Sequence, residues 1–378
     1  MTDNEIVLRE VSAEDLPALL ALEEKSFDVD RLSRRSFRHW ISSDSRAFIV
    51  AALDGKLAGY ILVIYHAGTR LARLYSIATD PRFRGRGIAR SLIAAGELAA
   101  SNSGRFIMRL EVGADNKPAI KLYESLGYAP FGIYHDYYED HSDAIRMQKR
   151  IHHYRVHERH IDMPWIRQST AFTCGPAALM MAMSTVSKKY TPSQHEELQI
   201  WREATTIFMT SGHGGCHPIG LALAAQQRGF NAEVWINNRN PLFVDSVRDA
   251  SKKEIIELVH KDYVQQAKAN NIRIHYIDIK QDTLIDALKN NAVPLVMIST
   301  WRLDGKKAPH WVAVSGYDSE CLYVHDPDPE EISQGAFDCQ YLPIAREDFA
   351  RISLFGQQRL RTAVIISRGR RRKRAGPQ

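Results

Sequence analysis

The stretch Arg82-Phe83-Arg84-Gly85-Arg86-Gly87 lies between an apolar run ending near Thr79 and an alanine-rich helical segment beginning near Ile88. Two glycines in a strand-to-helix turn let the backbone take positive φ and aim several N–H groups into one concavity. The following helix adds the positive end of its dipole. Arg82, Arg84 and Arg86 add cationic charge, so the turn suits a diphosphate. Taken alone, a Gly-Arg-Gly turn is more often just a turn. The residues on either side decide between the two readings.

Upstream, Glu5 to Val11 reads as a strand, and Ser12-Ala13-Glu14-Asp15 supplies helix-start residues, with Pro17 tolerated in a first turn. Ala47 to Leu53 and Leu57 to Ile64 are β-leaning runs around Asp54-Gly55, a hairpin signal. Leu71 to Ala78 is the strand that leads into the arginine-glycine loop. Downstream, Ile88, Leu92, Ala95 and Ala99 give the helix one apolar stripe. Arg105 to Val112 reads as a further strand, and Asn116 to Leu126 as a helix closed by Gly127.

With Leu110-Glu111-Val112, Asn116, Ala119, Leu122-Tyr123 and Gly127-Tyr128 in this order, residues 6–150 closely resemble the GCN5-related N-acetyltransferases, and within them the ribosomal-protein-alanine branch. The resemblance implies an α/β (α+β) fold with a mixed central sheet and acetyl-CoA as co-substrate. It places the pyrophosphate on Arg82, Arg84, Gly85, Arg86, Gly87, Ile88 and Ala89, the pantetheine arm along the backbone of Ile77 and Ala78, and Asn116 among the cofactor contacts. It also implies Glu111 as the base, acting through water, Tyr123 as the acid toward the departing sulfur, and Tyr137 and Tyr138 on the acceptor side. Outside the resemblance, Glu111 reads as a surface carboxylate and Tyr123 as a core aromatic. Gly113-Ala114-Asp115 departs from the pattern, because many relatives carry an arginine in that substrate-facing loop.

The 378 residues exceed one ordinary core and suit two domains. Apolar content of 44% and charged content of 25% are those of a globular protein; no apolar run approaches a membrane helix and the first residues do not read as a signal peptide, so a cytoplasmic protein without membrane contact is expected. Cys174, Cys216, Cys321 and Cys339 are scattered, which argues against disulfides and leaves any of them available as a nucleophile. The net charge of +6 is located in the tail: Arg368, Arg370, Arg371, Arg372, Lys373 and Arg374 account for it, leaving 44 basic against 44 acidic residues. That tail reads as a disordered solvated end or as an anchor to ribosomal RNA.

The second constellation is Gln168-Ser169-Thr170-Ala171-Phe172-Thr173-Cys174-Gly175-Pro176, running into Ala177-Ala178-Leu179-Met180-Met181. It sets a cysteine at a helix N-terminus, where the dipole favours the thiolate. His310 opens an apolar strand and Asp326 ends the next one. This set resembles the C39-type papain-like cysteine peptidases over about residues 165–344. The resemblance makes Cys174 the nucleophile, His310 the base, Asp326 its orienting partner, and Gln168 with the Cys174 N–H the oxyanion donors. Thr173 stands where an aspartate is common.

Between the two lies a histidine-bearing stretch, residues 151–164, read as a polar connector or a final strand, with His152, His153, His157 and His160 solvated and no metal expected. His213, Cys216 and His217 on a glycine loop lack a fourth ligand nearby and read as a structural loop. The expected organisation is an acetyltransferase domain at 1–150, a linker at 151–164, a peptidase-like α+β domain at 165–367 and a basic tail at 368–378. Its expected partner is a peptide or protein N-terminus, cleaved by the second domain and acetylated by the first. The alternative makes the second domain a peptide-binding module that does not cut.

Overall fold

The computed structural model describes residues 6–27, 30–152, 159–205, 208–209, 212–244, 247, 249–299, 309–329, 339–356 and 358–369. The chain divides into two compact units, Met1–Arg155 and Val156–Gln378. His153, His157 and the basic tail beyond Gly369 lie outside the described residues.

The first unit runs β1 (Val7–Glu10), α1 (Leu16–Ser26), α2 (Arg34–Ser42), β2 (Arg46–Leu53), β3 (Lys56–Tyr65), β4 (Leu71–Thr79), α3 (Ile88–Asn102), β5 (Ile107–Gly113), α4 (Lys117–Ser125), β6 (Ala129–Tyr134) and β7 (Ala144–Arg150). Its seven strands form one mixed sheet in the order β1-β2-β3-β4-β5-β7-β6, antiparallel except where β4 meets β5. Asp15 accepts the Ser12 N–H at 2.8 Å and closes the capping box ahead of α1. Asp54 (φ 50°) and Gly55 (φ 70°) take left-handed conformations in the β2–β3 turn, as a two-residue hairpin demands.

Two features of this unit depart from the sequence reading. First, α2 fills an interval that sequence reading left without an element; Ser33 caps it by accepting the Ser36 N–H at 3.1 Å, and Phe37 and Trp40 are buried beneath it. Second, the seam of α3 is rotated. Ile88, Leu92, Ile93, Gly96 and Ala100 are buried, whereas Ala95 and Ala99 lie at its margin. The cause is close approach: a Cβ at Gly96 would stand 2.9 Å from Ile61 Cδ1 and 3.1 Å from Val63 Cγ2, so the helix backbone sits directly on β3.

The sheet forks at its centre. β4 pairs with β5 through Leu71–Ile107, Ala72–Met108 and Arg73–Arg109, while its pairing with β3 continues to Thr79. On the β3 side Leu62 pairs with Ser76 and Val63 with Leu74, so Tyr75 is an extra residue, a bulge that turns β4 away from β5. The edge of β4 from Ser76 to Thr79 faces the resulting slot, and the loop 80–87 closes its end.

The second unit contains β8 (Arg159–His160), α5 (Cys174–Val186), α6 (Gln194–Ala204), β9 (Phe208–Met209), β10 (Gly212–His213), α7 (Pro218–Gln227), β11 (Asn231–Ile236), α8 (Ala250–Ala269), β12 (Arg273–His275), α9 (Gln281–Lys289), β13 (Val293–Ser299), β14 (Pro309–Tyr317), β15 (Cys321–His325), β16 (Leu342–Ala345), α10 (Arg346–Ile352) and β17 (Thr362–Ser367). Its main sheet follows the order β12-β11-β17-β13-β14-β15-β16, with β8 added to β14. Of the stretch 151–164, read as a connector or a final strand, Arg159–His160 is a short strand, and it joins the sheet of the second unit, Gly316 facing His160. Helices α5 and α7 pack on the sheet, and Leu295, Met297, Trp311 and Ala313 join Leu179, Met180 and Ile219 in its main core. The hydrophobic run Cys174–Val186 reads as a wholly buried helix because Gly175 through Ser184 are all buried.

Candidate functional site

The first site is built at the fork. Gly85 (φ 80°) and Gly87 (φ 79°) occupy the left-handed region, and a Cβ at either would meet open space. Space is therefore not what demands glycine there; the backbone conformation is. α3 starts at Gly87 with no side chain capping it, so its first N–H groups face outward from the loop. Asp80 accepts the Arg82 N–H at 2.9 Å and the Arg82 guanidinium at 2.8 Å. The side-chain hydrogen bond from Arg82 is the main reason that the Asp80 carboxyl is pulled down to about 2. Arg82 is thus a brace of the loop, and Arg84 and Arg86 are its exposed cations. Asn116 caps α4, accepting the Ala119 N–H at 3.2 Å through Oδ1.

Deeper in the fork, the Glu111 side chain is only 5% exposed and meets a buried cation that sequence reading did not single out. Arg73 donates to Glu111 Oε2 from Nε and from Nη2, both at 2.8 Å, and to the Tyr137 hydroxyl from Nη2 at 2.6 Å. Burial works to lower the Arg73 pKa, but Glu111 and Tyr137 outweigh it and hold the guanidinium charged above its ordinary value. The available signal was an arginine set among apolar residues of a strand, Leu71-Ala72-Arg73-Leu74. Tyr123 lies buried on α4, edge-on to Tyr128 at 5.7 Å. Burial pushes its phenol above the ordinary value, so it carries its proton throughout the neutral range. Tyr134, Tyr137 and Tyr138 form an aromatic wall, stacked at 5.5 Å and edge-on at 5.0 Å. Burial is the main cause that raises the Tyr138 phenol above its ordinary value, and Tyr137 and Glu111 add to it.

The second site lies where α5 meets β14. Cys174 opens α5 and is partly exposed, His310 is buried at the start of β14, and Asp326 follows β15. His310 Nε2 and Asp326 Oδ1 are 2.6 Å apart, and Cys174 is near enough for its charge to bear on the imidazole. Burial of His310 favours the neutral ring; Asp326 and Cys174 together overcome it and raise the His310 pKa well above its ordinary value. With Nε2 on Asp326, Nδ1 is the nitrogen left for the thiol. Asp326 is itself braced: Oδ1 accepts the Asp328 N–H at 2.9 Å, and its carbonyl accepts Trp165 Nε1 at 2.7 Å.

Gln168 is buried and fixed through its N–H to the Pro327 carbonyl at 2.8 Å, while its Oε1 is buried without a hydrogen-bond partner. A half-turn about χ3 exchanges Oε1 and Nε2, so the amide end keeps bonding capacity that the fold does not use. Buried Glu197 accepts the Ser169 N–H at 2.8 Å and holds the segment ahead of the thiol. Gly175 sits in a tight place: a Cβ there would stand 3.0 Å from Cys216 Cβ and 3.2 Å from Trp311 Cδ1, so its neighbours would have to give by a few tenths of an ångström. His217 is a cap, its Nδ1 accepting the Ile219 N–H at 3.1 Å and its Nε2 meeting His260 Nδ1 at 3.0 Å. Among the described residues no three His, Cys, Asp or Glu converge as a metal would need, and none of the four cysteines is in a disulfide.

Comparison with known proteins gives two family matches. Residues 14–128 match the Acetyltransferase (GNAT) family and residues 163–367 the Peptidase_C39 like family. An uncharacterized N-acetyltransferase of Methanocaldococcus jannaschii is 33% identical over 134 residues, 32% of this chain and 59% of that protein. The chain therefore spans less than two thirds of the length of that relative. A Bacillus subtilis protein whose given name is that of a [ribosomal protein bS18]-alanine N-acetyltransferase is 32% identical over 145 residues, 37% of this chain and 92% of that protein. The crystal structure of the ribosomal-protein-S18-alanine N-acetyltransferase from Escherichia coli is similar at 27% identity and a TM-score of 0.37, covering 40% of this chain and 97% of that one.

Proposed function

Because the chain belongs to the Peptidase_C39 like family over more than half its length and to the Acetyltransferase (GNAT) family over its first unit, we propose that it cleaves a peptide at Cys174 and transfers acetyl to an amine at Glu111. The observation that carries the first activity is the fork: an unpaired β4 edge from Ser76 to Thr79 ending on a positive-φ glycine loop. That shape fits acetyl-CoA. Loop N–H groups with Arg84 and Arg86 would hold the pyrophosphate, and the backbone at Ile77 and Ala78 would pair with the pantetheine amides. When bound, acetyl-CoA supplies a thioester carbonyl and a thiolate leaving group. Glu111 takes the proton of the incoming amine through water, and Tyr123 offers its phenolic proton toward sulfur. Arg73 fixes the Glu111 carboxylate from one side and the Tyr137 oxygen from the other.

The His310–Asp326 contact at 2.6 Å, with partly exposed Cys174 opening the helix beside it, supports the second activity. His310 takes the thiol proton, and the thiolate adds to the peptide carbonyl. The oxyanion draws on Gln168 and the Cys174 N–H; collapse releases the amine, protonated by His310, and water then frees the acyl group. The released α-amine, with a pKa near 8, is a suitable acceptor for the acetyl group, and the name of the Bacillus subtilis relative supports an α-amine of a polypeptide. The test is N-terminal peptide mass spectrometry on an extract treated with the protein and isotope-labelled acetyl-CoA, beside Glu111→Gln and Cys174→Ala. Label on newly cut termini, lost in both variants, is the expected result. Label on native termini alone, indifferent to Cys174→Ala, would leave an acetyltransferase with a peptide-binding second unit.

A further inference from the structure

α2 carries charge that its own stability does not call for. Residues 31–40 read Arg-Leu-Ser-Arg-Arg-Ser-Phe-Arg-His-Trp, with four arginines, one histidine and no acid. Arg31, Arg34, Arg35, Arg38 and His39 are exposed, while Ser36, Phe37 and Trp40 form the buried side. Arg34 and Arg35 stand in the first turn, where the helix dipole favours Asp or Glu and disfavours cations, and no acid is present there. Among the described residues no ion pair engages Arg34, Arg35 or Arg38.

The position of this face gives the charge a purpose. Trp40 packs against Tyr75, the bulge residue that opens the fork, and Arg73 lies 5.5 Å from the centre of the Tyr75 ring. At the other end, Asp30 just ahead of α2 accepts the Glu139 N–H at 3.3 Å, from the loop that carries Tyr137 and Tyr138. α2 thus borders the aromatic wall over Glu111. A polypeptide whose amine sits at Glu111 and whose chain leaves past Tyr138 and Asp30 would next meet the arginines of α2.

We propose that the exposed arginines of α2 are the docking surface for the acceptor, and that the acceptor is a polypeptide carrying acidic residues shortly after its N-terminal amine. The proposal rests on the acetyl-transfer reading of the first unit and names its substrate class.

The test compares two peptides that share an N-terminal Ser-Ala and continue with either Asp and Glu or Lys, each labelled at its C-terminus. Binding to the full chain is read by fluorescence anisotropy and acetylation by mass spectrometry with acetyl-CoA. The acidic peptide is expected to bind about tenfold more tightly at low salt, the sum of three exposed charge pairs, with the preference fading as salt screens it. Combined Arg34→Glu, Arg35→Glu and Arg38→Glu is expected to reverse the order, and the matching glutamine triple, checked with it by circular dichroism, to abolish it. Equal binding of the two peptides, or a preference that survives the charge reversal, overturns the proposal. So does a short single-stranded RNA whose binding the reversal abolishes while the peptide preference stays unmoved. Charge-selective binding with neither peptide acetylated sinks the acetyl-transfer reading and leaves the docking surface standing.

Discussion

At the scale of single residues, both sites depend on charges held in place by burial. Removing one partner of a buried pair leaves the other uncompensated, so Arg73→Leu is expected to cost about 3–5 kcal/mol in denaturant unfolding of the first unit. Arg73→Lys keeps the charge but loses the two-nitrogen contact with Glu111, and is expected to lower acetyl transfer far more than it lowers stability. In the second unit, Cys174 should react with iodoacetamide faster than a free cysteine at slightly acidic pH, and His310→Ala should slow that reaction about tenfold or more. Reactivity equal to that of free cysteine in both proteins would remove the nucleophile assignment. The residues proposed to react were singled out because their sequence neighbours announce them: a glycine loop before a helix, a Thr-Cys-Gly-Pro helix start. Arg73, Glu197 and Trp165 were not. Each acts across the fold, on partners 38, 28 and 161 positions away.

Among elements, turns and long periodic helices were readable from local chemistry. The Asp54-Gly55 hairpin, the α4 cap and the buried α5 follow from residue types that fit one backbone conformation. α2 escaped because its buried side is only Ser36, Phe37 and Trp40 amid charge, and the α3 stripe was misplaced because Gly96, carrying no side chain, marks the tightest contact. Glycine in the loop proposed to hold the pyrophosphate gives a test at this scale. Gly87→Val must hold a branched residue at φ 79°, so about 1–2 kcal/mol of stability should be lost, with KM for acetyl-CoA raised several-fold and a smaller change in kcat.

For the whole molecule, pH acts on the second unit from two directions. His217 is buried and its pKa lies well below the ordinary value, chiefly through burial and then through His260, whose own pKa burial lowers. The folded state therefore stays unprotonated where the unfolded chain takes up protons, and stability falls as pH drops below about 6.5, by up to ~1.4 kcal/mol per pH unit for each such group. His310 has the opposite sign: its raised pKa gives a contribution that is complete below about 6.5 and is lost as pH rises through the raised value. Urea unfolding across pH should show a falling acid limb that His217→Asn, which keeps a capping side chain, flattens. An acid limb unchanged by that variant would assign it elsewhere.

The fork in the first sheet has a consequence of a different kind. One surplus residue, Tyr75, opens the slot, and the strands on either side are otherwise in register. Exchange of its side chain leaves the residue count intact, so substitutions over evolutionary time can tune the slot without erasing it. A one-codon deletion can erase it, zipping β4 onto β5. Such a deletion is expected to yield a chain that still folds, and even unfolds later on heating, but that no acetyl-CoA enters.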